Sequence, residues 1–236
     1  MMMLSEYLSS AYEEAERQNR RVVIELAGQV RTVLDCGCGD GSFTLELARA
    51  ASGEVVLGLE IDEDAATIAE GRGVEVHRCD LNGRFPLEDD SVDVAFSNQV
   101  IEHLYDTDNL MAEGFRVLRP GGVLVVSTEN LSAWHNILAL VLGWQPFSLT
   151  NISESALGLG NPLALHRGEV AKPHAMRHLR IFTPRSLSEL AGVHGFVIER
   201  LVGAGYFPLS GRIAEFMSRV DRWHAAFITI KARKPV

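Results

Sequence analysis

The sequence predicts an α/β domain, a mostly parallel sheet with helices on both faces, and three observations carry that expectation. Short β-branched runs alternate with helix-period stretches from Val30 onward. A glycine-rich loop sits directly behind the first run. Successive runs end in acidic or amide residues. At 236 residues, 47% apolar and 22% charged, the chain has ordinary globular composition and suits one domain with an added lid.

Each element follows from local pattern. Residues 1–25 read as one amphipathic helix covering the sheet or the mouth of the site. "VRTVLD" (30–35) is a buried strand and "SFTLELARAA" (42–51) a helix. "EVVLGLE" (54–60) is a second strand, and the acidic first turn of "DEDAATIAEG" suits a helix N-terminus. "VEVHRCD" (74–80) and "SVDVAFSN" (91–98) are further strands. A helix over 109–122 is expected to end at Pro-Gly-Gly, before a fifth strand, "GVLVVSTEN". "LSAWHNILALVLGW" looks like an apolar helix, and residues 145–172 have the scattered Gly, Pro, Ser and Asn of a lid or binding loop. Thr183 is placed to cap a helix with Pro184 at its first position. "FVIERLV" and "HAAFITIKARK" close the sheet, with a helix near 211–222 between them.

Composition excludes several function classes. With 22 basic against 31 acidic side chains the net charge is −9, which argues against nucleic acid as the main partner. Cys36, Cys38 and Cys79 form neither a redox C-x-x-C nor half of a zinc module, so they read as reduced thiols of a cytoplasmic protein. No apolar run is long enough to cross a bilayer, and no membrane contact is expected.

The stretch "VLDCGCGDG", Val33 to Gly41, carries the chemistry. Glycines there let backbone approach a ligand closely and tolerate positive φ. Glu60 ends the second strand, where a carboxylate can chelate ribose hydroxyls; Asp80 ends the third and Asn98 the fourth. Ligands of open α/β sheets bind outside the carboxyl ends of the strands, so these residues fall along one crevice. A dinucleotide site fits poorly. Gly37, Gly39 and Gly41 alternate strictly, rather than following G-x-G-x-x-G, and Asp35 and Asp40 put negative charge where a pyrophosphate would sit. Carboxylates there suit a cationic nucleoside.

"VLDCGCGDG", "GLEID", "CDL", "FPLEDDSVDVAFSNQVIEHL" and "RVLRPGGVLVVSTEN" together resemble the class I S-adenosylmethionine-dependent methyltransferases, especially those acting on small molecules. The resemblance covers residues 30–130, and "RIFTPRSLSELAGVHGF" is similar to that family's last helix and sixth strand. It implies a Rossmann-like, seven-stranded sheet with an antiparallel last strand. The division expected within one domain is a helix over 1–25, a cofactor core over 30–130, a lid over 131–180 and a C-terminal helix and strand pair over 181–236. It also implies S-adenosyl-L-methionine as cofactor. Asp35 and the backbone of Gly37, Cys38, Gly39 and Gly41 would hold its methionine end, and Glu60 its ribose hydroxyls. Ile61 would pack on adenine, Asp80 and Leu81 would bond the ring, and Asn98 with Gln99 would lie beside the methionine amino group.

Methyl transfer asks the protein to position reactants and exclude water, with a base needed only if the nucleophile must lose a proton. His103 and His178 are the candidates for that role. His135, Trp134, His174 and Tyr206 are candidate substrate contacts, and Lys172, Arg177 and Arg180 could pair with an acidic group. Trp134, Trp144, Phe147 and the leucines of the lid suit a partly apolar or aromatic small molecule. The lid could also join two copies in a homodimer. "QVIEH" with "HLRIFT" is similar to metal-dependent small-RNA 2′-O-methyltransferases, but Gln99 replaces the first glutamate, so no resident metal is expected. A non-catalytic protein that binds S-adenosylmethionine or S-adenosylhomocysteine is the alternative from another class.

Overall fold

Seven strands in the order β3-β2-β1-β4-β5-β7-β6 make one sheet in the computed structural model, which describes residues 2–153, 155–170 and 177–236. In chain order the elements are α1 (Met2–Glu25), β1 (Thr32–Cys36), α2 (Ser42–Ala51), β2 (Val55–Glu60), α3 (Glu63–Gly71), β3 (Glu75–Arg78), β4 (Val92–Asn98), α4 (Thr107–Val117), β5 (Leu118–Glu129), α5 (Trp134–Val141), α6 (Pro184–Val193), β6 (Val197–Ala204), α7 (Gly211–Val220) and β7 (Phe227–Arg233). Strands β1 to β5 pair in parallel, whereas β7 runs antiparallel to both β5 and β6. The expected alternation and antiparallel closing strand are therefore present.

The winding positions the site. From β1 the chain steps outward through β2 and β3, then returns to lay β4 on the other side of β1. At that reversal the connections leave in opposite directions and open a crevice past the strand ends. Cys36 ends β1, Glu60 ends β2 and Asn98 ends β4, so the residues expected to bind a ligand all stand at one edge. The strands that carry them are rigid because they are buried on both faces: Leu34, Leu59 and Phe96 are fully enclosed. Each such side chain contributes about 1.5–3 kcal/mol of burial.

The helix α1 binds the two halves of the sheet together. Its Leu8, Ala11 and Ala15 pack with Ala204, Phe207 and Phe227, while Val23, Leu26 and Ala27 pack with Val33, Val94 and Phe96. Between these patches Asn19 is buried; its Nδ2–H donates to Asn98 at 3.0 Å and its Oδ1 accepts from the Ser127 hydroxyl at 2.8 Å. α6 begins as expected, with Thr183 and Ser186 in a reciprocal capping box and Pro184 at the first turn.

Two boundaries differ from the sequence expectation. The fourth helix stops at Val117, not at Pro-Gly-Gly, and Leu118 already pairs with Val92 in β5. Pro120 disfavours helical backbone at Arg119. The helix after β5 begins at Trp134, leaving residues 131–133 to a turn held by Asn130, whose Oδ1 accepts from the N–H and hydroxyl of Ser132.

Candidate active site

The glycine loop is held by its own backbone. The Gly37 and Cys38 N–H groups both donate to the Leu59 carbonyl, the Gly39 N–H to a Glu60 oxygen at 2.8 Å and the Gly41 N–H to the Cys38 carbonyl. All three glycines have positive φ. Two of them also lack space: a Cβ on Gly37 would stand 2.6 Å from Val100 and one on Gly41 2.9 Å from Ala69. Gly39 is different, since a Cβ there would meet nothing within 4 Å. Its open side is where a ligand can approach the backbone, which is the observation that fits a cofactor here.

The acidic partners divide into supports and exposed acceptors. Asp35 lies buried beneath the loop, accepts from the Thr44 hydroxyl at 2.7 Å, and burial pushes its carboxyl up to about 7. Glu60 takes the N–H groups of Ile61 and Asp62 at 2.8 and 2.9 Å on one oxygen and Gly39 on the other, so its plane is fixed at the crevice. Ile61 beside it is exposed, Asp80 is exposed and bonded by Asn82, and Leu81 is buried under the same turn. Asp40 is a correction. It pairs with Arg72 at 2.5 Å, whose hydrogen bond holds its carboxyl down to about 2, so it adds little uncompensated negative charge to the loop. Burial raises the Cys38 thiol to about 12, which makes it a packing group.

Past the end of β4 a second space opens, a cavity of about 250 Å³ under α1 and the lid. Gln99, Glu102 and His103 enter it from the turn after β4, and Tyr12 and Glu16 from α1. Glu129 reaches it from the end of β5 and His135 from α5. Phe147, Ser148, His178 and Phe207 close it. Its rings touch edge to face: His135 with Phe147 and Phe207, and Tyr12 with Phe207.

The cavity is rich in lone pairs. Buried Glu102 accepts from the Thr128 hydroxyl at 2.8 Å through one oxygen; its other oxygen has no partner among the described residues, and burial pushes its carboxyl up to about 7. Glu129 accepts from the Tyr12 hydroxyl, leaving its Oε2 without a hydrogen bond among the described residues, 3.6 Å from the Nδ1 of His178. His103 Nδ1 stands 2.8 Å from the Arg177 carbonyl and His178 Nδ1 2.7 Å from the Ser148 carbonyl. Carbonyl oxygen only accepts, so both rings donate through Nδ1–H and keep a lone pair on Nε2 when neutral. Burial lowers the pKa of His103, and that of His135 to about 4; the Nδ1 of His135 is unpartnered. The side-chain N–H₂ of Gln99 is a buried donor without a hydrogen-bond partner among the described residues.

Glu102, His103 and His178 each offer an atom within 4.8 Å of the others. Such a trio could hold a divalent ion, but the amide of Gln99 is a weaker ligand for a hard cation than a carboxylate.

The structure brings together His103, His178 and His135, as the sequence suggested, and separates other candidates from them. Trp134 does not line the cavity: its indole N–H donates to Asp221 at 3.0 Å and its ring stacks on His224. Tyr206 likewise turns its hydroxyl to Asp221 at 2.6 Å. One half-buried carboxylate, Asp221, engages both. Arg180 donates to the carbonyls of Leu104 and Tyr105, so it fixes the lid rather than a substrate. His174 and Lys172 lie outside the described residues. Sequence reasoning missed Tyr12, Glu16, Glu129 and Phe207. Only the i, i+4 spacing of Tyr12 and Glu16 on one helix face hinted at a shared role.

Known proteins resemble this chain chiefly over its cofactor half. The methyltransferase domain model matches residues 34–126. A Mycolicibacterium smegmatis protein named a probable S-adenosylmethionine-dependent methyltransferase is 46% identical over 104 residues, 42% of this chain and 38% of that one. These matches support a class I S-adenosylmethionine-dependent methyltransferase. The human mitochondrial ubiquinone biosynthesis O-methyltransferase is 25% identical over 188 residues, covering 76% of this chain and 45% of that protein. A methyltransferase structure from Mesorhizobium loti shares the fold with a TM-score of 0.61 at 21% identity, over 93% of this chain and 97% of that one. The chain spans about two fifths of the length of the first curated relatives it matches.

Proposed function

We propose that the protein transfers a methyl group from S-adenosylmethionine to a hydroxyl of a small molecule held in the cavity beyond β4. The observation that carries this reading is the presence of two spaces past the strand ends: the open side of Gly39 beside Glu60, and a cavity that Gln99 lines immediately after β4. The cofactor, when bound, supplies a methyl group on a cationic sulfur. Glu60 is set to accept from two vicinal hydroxyls, and Asp80 and Leu81 stand where a nucleobase would meet the end of β3. Asn98, held by Asn19, would orient an amino group at the junction.

The acceptor half supplies lone pairs. A hydroxyl entering the cavity would donate to the Nε2 of His178 or His103, or to the free oxygen of Glu102, and any of these could take its proton. The edge-to-face rings of Phe147, Phe207 and Tyr12 would grip an apolar or aromatic body. α1 and the lid would keep water out while the proton moves. The ubiquinone-biosynthesis relatives, named for O-methylation, support oxygen as the atom methylated.

Calorimetric titration with S-adenosylmethionine and S-adenosylhomocysteine, with NAD as control, tests the cofactor half. Micromolar binding of the two sulfur compounds and none of NAD is expected. Formation of S-adenosylhomocysteine in the presence of phenolic acceptors tests the second half, and its absence across such acceptors would remove the hydroxyl reading.

A further inference from the structure

Two helices turn apolar faces outward. On α7 the exposed residues include Ile213, Phe216 and Val220, continued by Trp223, a stripe at spacing i, i+3, i+7, i+10; the buried face consists of Ala214 and Ser218. On α5, Trp134, Leu138 and Val141 are exposed at i, i+4, i+7, with Leu142 beside them. The stripes are tied at one end, where Trp134 bonds Asp221 and stacks on His224. Residues 131–152 contain no Asp, Glu, Lys or Arg.

The charges along α7 are sorted by sign. Glu215 pairs with Arg21 at 3.3 Å, and Asp221 accepts from Tyr206, Trp134 and His224, so both acids are engaged inside the molecule. Arg212, Arg219 and Arg222 are exposed and form no ion pair among the described residues; Arg222 lies over the Trp223 ring. On a chain of net charge −9, the uncompensated charge beside this stripe is positive. A second copy docked about a two-fold axis would bring the three arginines of one stripe against those of the other, which disfavours self-association.

We propose that α7, together with the exposed flank of α5, lies on an anionic bilayer surface, with Ile213, Phe216, Val220 and Trp223 in the interface and the arginines at the headgroups. No described helix is long and apolar enough to cross a membrane, and an interfacial helix needs no such length. This departs from the absence of membrane contact expected from the sequence, which rested on the lack of a spanning segment.

Co-sedimentation of the full chain with phosphatidylcholine vesicles, with and without phosphatidylglycerol, tests the proposal. Binding is expected with phosphatidylglycerol and should be much weaker without it. The pair Ile213→Ser with Phe216→Ser should lower the bound fraction about tenfold. Arg212→Gln with Arg219→Gln should lower the vesicle binding constant about twenty-five-fold, at about fivefold per arginine. All four residues are exposed, and unchanged thermal melts would show that the variants fold. No binding to either vesicle, or binding that both variants retain, would overturn the proposal. So would a dimer in light scattering that Phe216→Ser dissociates, since the stripe would then be a subunit interface.

Discussion

The two halves of the crevice are built in opposite ways. Around the glycine loop, polar groups are engaged in advance: Glu60 accepts three backbone N–H groups, Asp35 one hydroxyl, and the loop N–H groups are paired. In the cavity beyond β4, Gln99, Glu102, Glu129 and His135 each keep a buried polar atom without a partner among the described residues. A buried polar group left unpaired costs about 1–3 kcal/mol. On the proposed reading, the loop meets one invariant cofactor and is satisfied by its own backbone, whereas the cavity leaves its lone pairs for the acceptor.

Substitutions can break this contrast, and the largest effect belongs to the loop. Gly39→Val should abolish measurable S-adenosylmethionine binding in calorimetry, because a β-branched residue must adopt φ +53° and fill the open side. Glu60→Ala should weaken the cofactor by about 3 kcal/mol, roughly a hundredfold, through lost charge-assisted bonds. Unchanged affinity in either variant would mean the loop is not where the cofactor lies.

Glu102 sharpens the contrast through pH. Its folded-state pKa is raised from 4.5 to about 7 by burial, so its contribution to stability is fully present below about pH 4.5 and is lost as pH rises through about 7. Glu102→Gln, which cannot ionise, should match the parent melting temperature in acid and exceed it above pH 7, and turnover should fall. A parallel decline of both proteins with pH would refute the assignment. Tyr12→Phe removes the donor to one Glu129 oxygen and should cost about 1–2 kcal/mol in thermal unfolding while cofactor affinity stays constant. The smallest effect is expected of Trp134→Phe. With no side chain in the cavity, it should leave the KM for any acceptor unchanged, and a raised KM would return Trp134 to the substrate site.

The legibility of the two halves differs for a physical reason. Asp35, Gly37 to Gly41, Glu60, Asp80 and Asn98 each stand at or just past the end of a strand whose apolar run is visible, and the parallel sheet aligns strand ends without further information. The cavity draws on Tyr12, Glu102, Glu129, His135, His178 and Phe207, whose meeting depends on how α1 and the lid fold back over the sheet. Trp134 and Tyr206 show the limit: composition made them good substrate contacts, but Asp221 captured both.

By itself, then, the amino-acid order determined the alternating strands and helices, the glycine turn at the end of β1 and the acidic residues that stand beside it, because period, β-branching and turn chemistry act over a few residues. Tertiary structure alone decided which histidines share a space, that Asp40 is neutralised by Arg72, that Asn19 holds Asn98, and that the stripe on α7 faces outward. Those outcomes are set by which surfaces exclude water when distant segments pack, and no local pattern encodes them.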